Sequence, residues 1–184
     1  MRVLAALAFL AVRPCPPASA VRGLQFQEYF SGAGVLTEVA GGMGFQAAPG
    51  LDIITGTDLR DASVVAREVM RASSVAWGHF APVCTAYSSS VFWSGGTRSR
   101  SLAGKDAAWL KIAVAIMLVG GAVTIENPQR SLIWGTRKMR KLAKDFGMVP
   151  YLIHQCMSAP KCLERSIILL RAASGWNDRR DLES

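Results

Sequence analysis

Hydrophobic and polar positions fall in blocks along most of the chain, and the blocks change period. LQFQEYF at 24–30 predicts a strand, SGAG a turn and VLTEVAGGM a short helix. FQAAPGLDI predicts a second strand ending near Asp52, and ITGTDLRD a loop that caps a helix over about 61–72. SVAWGHF predicts a third strand that runs into the loop APVCTAYSSS. The Ser- and Gly-rich stretch SSSVFWSGGTRSRSLAG reads as a loop, and residues 105–119 as a helix. AVTIENP predicts a strand with a loop at its end, 131–146 a basic helix, and MVPYLIHQCM and SIILLRA two late strands.

Apolar strands that alternate with helices argue for an α/β fold, a mostly parallel, Rossmann-like sheet with helices on both faces. Such sheets bind ligands at the carboxyl ends of their strands. One domain over residues 21–175 is expected, with a polar tail at 176–184 and no internal repeat. Apolar residues make up 51% and charged residues 18%, a globular rather than a disordered composition. The apolar run at 107–125 is interrupted by Lys111 and broken at Gly120-Gly121, which fits a core helix, a turn and a strand better than a membrane span.

The first twenty residues differ from the rest. A basic start, the apolar run VLAALAFLAV and the small residues Ala18-Ser19-Ala20 have the layout of a cleaved targeting signal. Removing them takes away Cys15 and leaves Cys84, Cys156 and Cys162, which cannot all pair within one chain. There is no CxxC, and no His lies at zinc-finger spacing, so a disulfide scaffold and a structural zinc site are excluded and no metal is expected. The formal charge of +8 points to an anionic partner, nucleic acid or an anionic surface. In RKMRKLAK, Arg137, Lys141 and Lys144 share one helix face with Arg140 close by, a face that either neutralises phosphates or is simply solvated.

The strand ends carry the candidate chemistry. Gly32 and Gly34 let a backbone turn approach a ligand, or form a tight structural turn only. It is neither a Walker loop nor GxGxxG. Asp52 stands about twenty positions on, where an acidic residue can bind ribose hydroxyls. Asp58 can meet an adenine edge or cap a helix. Glu126 ends a buried strand, where a carboxylate needs a partner such as Arg130, or a chemical role. Cys84 is a nucleophile if positive charge from Arg98, Arg100 or helix amides favours its thiolate, and otherwise an inert, partly buried thiol.

Taken in order, EYFSGAG, then APVC, then ENP resembles the DNA cytosine-5 methyltransferase family, whose motifs are Asp/Glu-x-Phe-x-Gly-x-Gly, Pro-Cys after a strand, and Glu-Asn-Val/Pro. The resemblance covers about residues 24–171 and is similar to compact members of mobile elements and protists. It implies an S-adenosylmethionine-dependent fold with cofactor contacts from Phe30, Ser31, Gly32, Ala33, Gly34, Asp52, Asp58 and Pro82. It implies a flipped cytosine attacked at C6 by Cys84, with Glu126 protonating N3 and Thr85 and Ser88 orienting the pocket. Arg165 matches the second arginine of a later Gln-x-Arg-x-Arg motif, and Leu163 stands where the first would be. Val83 separates Pro82 from Cys84, where the family has them adjacent.

The short span from Asp52 to the third strand predicts one strand–helix pair fewer than the family carries, and a monomer without a separate target-recognition domain is expected. A nucleic-acid substrate, with DNA the one the family uses, follows from the resemblance, and with it a nuclear location; the signal-like start instead argues for secretory or organelle routing. A decayed fold that binds cofactor or nucleic acid without turnover is the alternative.

Overall fold

The computed structural model describes residues 24–87, 108–154 and 165–171, with the side chains at 85, 86, 154 and 165 outside that description. The signal-like start, Ser88, Arg98, Arg100 and Leu163 lie outside the described residues.

Among the described residues six strands form one sheet. They are β1 (Gln25–Tyr29), β2 (Gln46–Ala47), β3 (Trp77–Phe80), β4 (Ala122–Pro128), β5 (Val149–His154) and β6 (Arg165–Arg171), in the order β2-β1-β3-β4-β6-β5. The pairs β2–β1, β1–β3 and β3–β4 are parallel, while β6 runs antiparallel to both β4 and β5. The sheet is thus mostly parallel, as expected, with one reversed strand. Neighbouring parallel strands need a crossover of a dozen or more residues, and the ten residues between His154 and Arg165 suit an antiparallel pair instead. Pro150 is tolerated because β5 is the sheet edge.

Among the described residues four α-helices cover the sheet: α1 (Val35–Gly42), α2 (Ala62–Arg71), α3 (Leu110–Leu118) and α4 (Arg137–Phe146). Strand alternation sends Phe26, Trp77 and Ala122 to one face, where Leu36 and Ala40 of α1 cover them. Tyr29, Phe80, Val123 and Ile125 point to the other face, against Val65 of α2, Ile112 and Ile116 of α3, and Met139 and Leu142 of α4. The helices therefore lie on both faces, an arrangement compatible with a Rossmann-like fold.

Four boundaries differ from the sequence pattern. The second strand shrinks to Gln46–Ala47 plus a single bridge from Leu51 to Tyr29, because Pro49 and Gly50 interrupt the ladder. The third strand begins at Trp77, because Ala72–Ser74 continue α2 as a 3₁₀ turn. The basic helix starts at Arg137, because Thr136 accepts a bond from Met139 N–H and caps it there, and Leu132–Gly135 form a separate 3₁₀ turn. The cap of α2 is Asp61, which accepts from Ser63 N–H, and not Asp58.

One register row crosses the sheet: Leu51, Tyr29, Phe80, Ile125 and Leu169 lie side by side. The rings of Tyr29 and Phe80 stack with centroids 4.4 Å apart, and Phe80 stacks on Trp109 at 5.2 Å. Ahead of β4 the chain passes so close to Val75 and Ile116 that a Cβ on Gly121 would sit 2.7 Å from the Val75 carbonyl oxygen and 2.6 Å from Ile116 Cγ2. Gly121→Ala is expected to lower stability by about 1–3 kcal/mol, read as a reduced urea midpoint at an unchanged slope.

Candidate functional site

Strand order reverses between β1 and β3, since the chain moves from β1 outward to β2 and then returns to β3 on the other side. At such a point two loops diverge and leave a crevice at the carboxyl edge. The residues one step past the register row are Asp52, Phe30, Ala81 and Glu126. The glycine turn and the Cys84 loop therefore leave the sheet at the level of Glu126, while β4 runs on through Pro128 paired with β6.

Phe30, Gly32 and Gly34 all have positive φ, at 60°, 52° and 70°. For a bulky side chain such as Phe30 this is a strained conformation. It is held by the bond from Phe30 N–H to the Leu51 carbonyl at 2.7 Å and by edge-on packing of the ring against Trp109. Nothing lies within 4 Å of a Cβ built on Gly32 or Gly34, so the space before both is open. Ser31 is buried against Gly50, where an added Cβ would come within 2.5 Å of it. Ala33 is exposed between the two glycines.

Two carboxylates hold this turn. Asp52 accepts from Gly32 N–H at 3.0 Å through one oxygen and from Ile54 N–H at 2.9 Å through the other. Its side chain also takes the N3 backbone N–H of the capping box, and since a carboxylate accepts about four hydrogen bonds, capacity for a further donor remains. Glu28 accepts from Thr37 N–H at 2.8 Å and Thr37 Oγ1 at 2.6 Å, which caps α1 from the strand because Gly34 has no side chain to do so. Burial pushes the Glu28 carboxyl above its ordinary pKa, against the lowering effect of the Thr37 bonds. Asp58 is tied instead to Arg60 in a two-pronged pair at 2.8 and 2.9 Å, which holds its carboxyl below the usual range. It lies half-exposed in the loop after the Ile53–Thr55 turn.

The Cys84 loop is locked from β4. Asn127 Nδ2 donates to the Pro82 carbonyl at 2.7 Å, and both residues are buried. Val83 is 57% exposed, between the buried Pro82 and the half-buried Cys84. Cys84, a half-buried free thiol, opens the 3₁₀ turn Cys84–Tyr87.

Glu126 is buried with its Oε2 3.9 Å from His79 Nε2. That separation lies within ion-pair range, but burial pushes His79 down to about 4 and keeps the ring neutral, so the contact is between a carboxyl and an imidazole dipole. His79 Nδ1 lies 2.8 Å from Thr124 Oγ1, which also accepts from Trp77 Nε1–H at 3.0 Å. Arg130 is exposed. Arg165 begins β6, three residues from Ile168, the partner of Glu126.

Arg137, Lys138, Arg140, Lys141 and Lys144 are all exposed on α4, and Lys141 pairs with Asp145 at 2.7 Å. The first turn of α4 carries three cations and no acid, against the helix dipole, so helix stability does not account for them. Trp134 Nε1–H donates to the Pro128 carbonyl at 2.9 Å and ties the approach to α4 back to the ENP end. A cavity of about 30 Å³ lies between Tyr87 of the Cys84 turn and Thr136, Lys138 and Met139.

Sequence reasoning missed Asn127 as the lock on Pro82, Lys138 beside the Cys84 turn, and His79. Strand alternation offered a signal for His79, which shares a face with the buried Trp77. Among the described residues no cluster of His, Cys, Asp and Glu is placed to hold a metal, and no helix is long and apolar enough to cross a membrane. Comparison of the chain with family models, with curated proteins and with solved structures finds no match.

The His79 ring makes stability depend on pH. Its folded pKa lies near 4 and its unfolded value near 6.5. Between the two the unfolded chain takes a proton that the fold refuses, so stability is complete above about pH 6.5 and falls by up to about 3 kcal/mol toward pH 4. Glu28, raised in the fold, acts in the opposite direction. The expected result is a urea midpoint that drops more steeply from about pH 7 to about pH 4 in the wild type than in His79→Gln.

Proposed function

We propose that the chain binds S-adenosylmethionine at the carboxyl edge of its sheet and transfers a methyl group to C5 of cytosine in nucleic acid. The observation that carries the reading is the register row, which brings the Gly32–Gly34 turn, Asp52, the Cys84 loop and Glu126 to one edge at the point where strand order reverses.

The glycine turn suits the cofactor. The space before Gly32 and Gly34 is open, Phe30 is held in a strained conformation beside it, and Asp52 keeps acceptor capacity for ribose hydroxyls. The cofactor would supply an electrophilic methyl group. The protein's own part is to prepare the base. Cys84 adds as its thiolate to C6 of a flipped cytosine, and the electron pair displaced from the C5–C6 bond moves through C4 to N3. Glu126 gives N3 its proton, so the negative charge ends on a carboxylate beside His79 and not on the ring. Asn127 fixes the Pro82 carbonyl two residues before the nucleophile, which limits the positions the thiol can take. The exposed cations of α4, with Lys138 beside the Cys84 turn, supply a surface for backbone phosphates.

Incubation of the full chain with S-adenosylmethionine and DNA containing 5-fluorocytosine is expected to give a covalent adduct by mass spectrometry. Cys84→Ser should give none, Glu126→Gln should slow adduct formation by about 10²-fold or more, and Gly34→Asp should abolish cofactor binding in calorimetry. Cofactor binding without any adduct would leave a binding module in place of an enzyme.

The α4 face is tested separately by the salt dependence of DNA binding. Arg137→Ala and Arg140→Ala should each lower the slope of log affinity against log salt by about 0.9 if each neutralises one phosphate. An unchanged slope would remove α4 from the interface.

A further inference from the structure

Between α1 and the carboxyl edge, the face of the sheet that carries Phe26 and Trp77 is polar where an apolar stripe would be expected. Glu28, His79 and Thr124 are register partners on β1, β3 and β4, and Glu126 follows two residues along β4 on the same face. All four are buried. Buried polar groups are costly unless their bonds are made, and here hydrogen bonds join Trp77, Thr124 and His79, with the Glu126 carboxyl 3.9 Å beyond the ring.

The donor inventory orders that series. Trp77 Nε1 can only donate, so it takes one lone pair of Thr124 Oγ1. The hydroxyl keeps one hydrogen, and His79 Nδ1 lies 2.8 Å away. If Nδ1 accepts that hydrogen, the neutral ring carries its own on Nε2, which faces Glu126 Oε2 at 3.9 Å. The other tautomer would have Thr124 accept from both Trp77 and His79, leave the hydroxyl hydrogen without His79 as its acceptor, and place no N–H toward Glu126. Glu28, across the strand pair from His79, has its Oε2 bonded to Thr37.

We propose that His79 is a positioning residue for Glu126, held by the Trp77–Thr124 pair so that its Nε2–H presents to the Glu126 carboxyl. The inference rests on the role given above to Glu126. In that role the Glu126 O–H bond breaks as the N3–H bond forms, and the new carboxylate oxygen develops beside the Nε2–H dipole. No proton crosses the imidazole. Burial supports the arrangement by keeping the ring neutral, since an imidazolium would hold Glu126 as a carboxylate with no proton to give.

The test compares His79→Gln, which retains an N–H near the Nε2 position, with His79→Asn, which retains a polar group near Thr124 but does not reach Glu126. In the full chain, ¹⁵N spectra of wild-type His79 should show the neutral Nε2–H form from about pH 5 to about pH 8. The ¹³C titration of the Glu126 carboxyl should be displaced in His79→Asn and return in His79→Gln. Adduct formation should fall about tenfold in His79→Asn and stay within about threefold in His79→Gln, with cofactor binding unchanged in both.

A ring hydrogen on Nδ1, or two variants that behave alike in the carboxyl titration, would overturn the inference. If the wild type forms no adduct, methyl transfer fails by itself, and the carboxyl titration still decides the pairing of His79 with Glu126. Should both variants fail to fold, Thr124→Val releases Nδ1, and an unchanged tautomer in that protein would overturn the proposal.

Discussion

The parallel register in which Tyr29, Phe80 and Ile125 lie side by side sets the level at which β1 and β3 end and at which Glu126 follows on β4. Everything at the carboxyl edge depends on it. Because side chains alternate, a slip of one residue in β3 would exchange Phe80 with His79 between the two faces, burying an imidazole among Ile112 and Ile116 and releasing the ring that stacks on Tyr29 and Trp109. The aromatic stack therefore does more than fill the core. It makes one register much better packed than its neighbours, and that register brings a glycine turn, a thiol loop and a carboxyl together.

Two kinds of constraint then shape the edge. The backbone of the glycine turn is held from outside, by Asp52 on Gly32 and by Leu51 on Phe30, and these bonds keep a bulky residue at positive φ. The Cys84 loop is held from β4, by Asn127 on Pro82. Neither loop is rigid by its own sequence; each borrows its conformation from a neighbouring segment. Charge is divided in a similar way. Glu28, Asp52 and Glu126 are buried within the sheet edge, while the cations of α4 are exposed. A neutral but polar ligand group can be handled inside while phosphates are held outside, the division that the proposed function requires.

Much of this was legible in the sequence. Blocks of apolar residues located the sheet strands and the α1–α4 helices, and AVTIENP matches β4 at both ends. The span from Asp52 to the third strand was too short for a further strand–helix pair, and between Asp52 and β3 the structure has only 3₁₀ turns and α2. Asp52 was readable as a residue at a strand end, but its bond to Gly32 was not, because that contact joins positions twenty residues apart. Asp58 was readable as a helix cap, but it is tied to Arg60, and Asp61 takes the cap by accepting from Ser63 N–H. The reversal of β6 escaped pattern reading because hydrophobic alternation looks the same in either direction along a strand.

The sequence by itself determined which segments are strands and helices, where the chain must turn, and which chemical groups stand at the strand ends. These are local matters, set by residue type and spacing over a few positions. Only the tertiary structure decided that Pro82 is held by Asn127, that His79 lies between Thr124 and Glu126, and that Val83 turns to solvent. Each of these depends on strand order and register, which arise when distant segments bury their apolar faces together, and no short window of sequence contains that information.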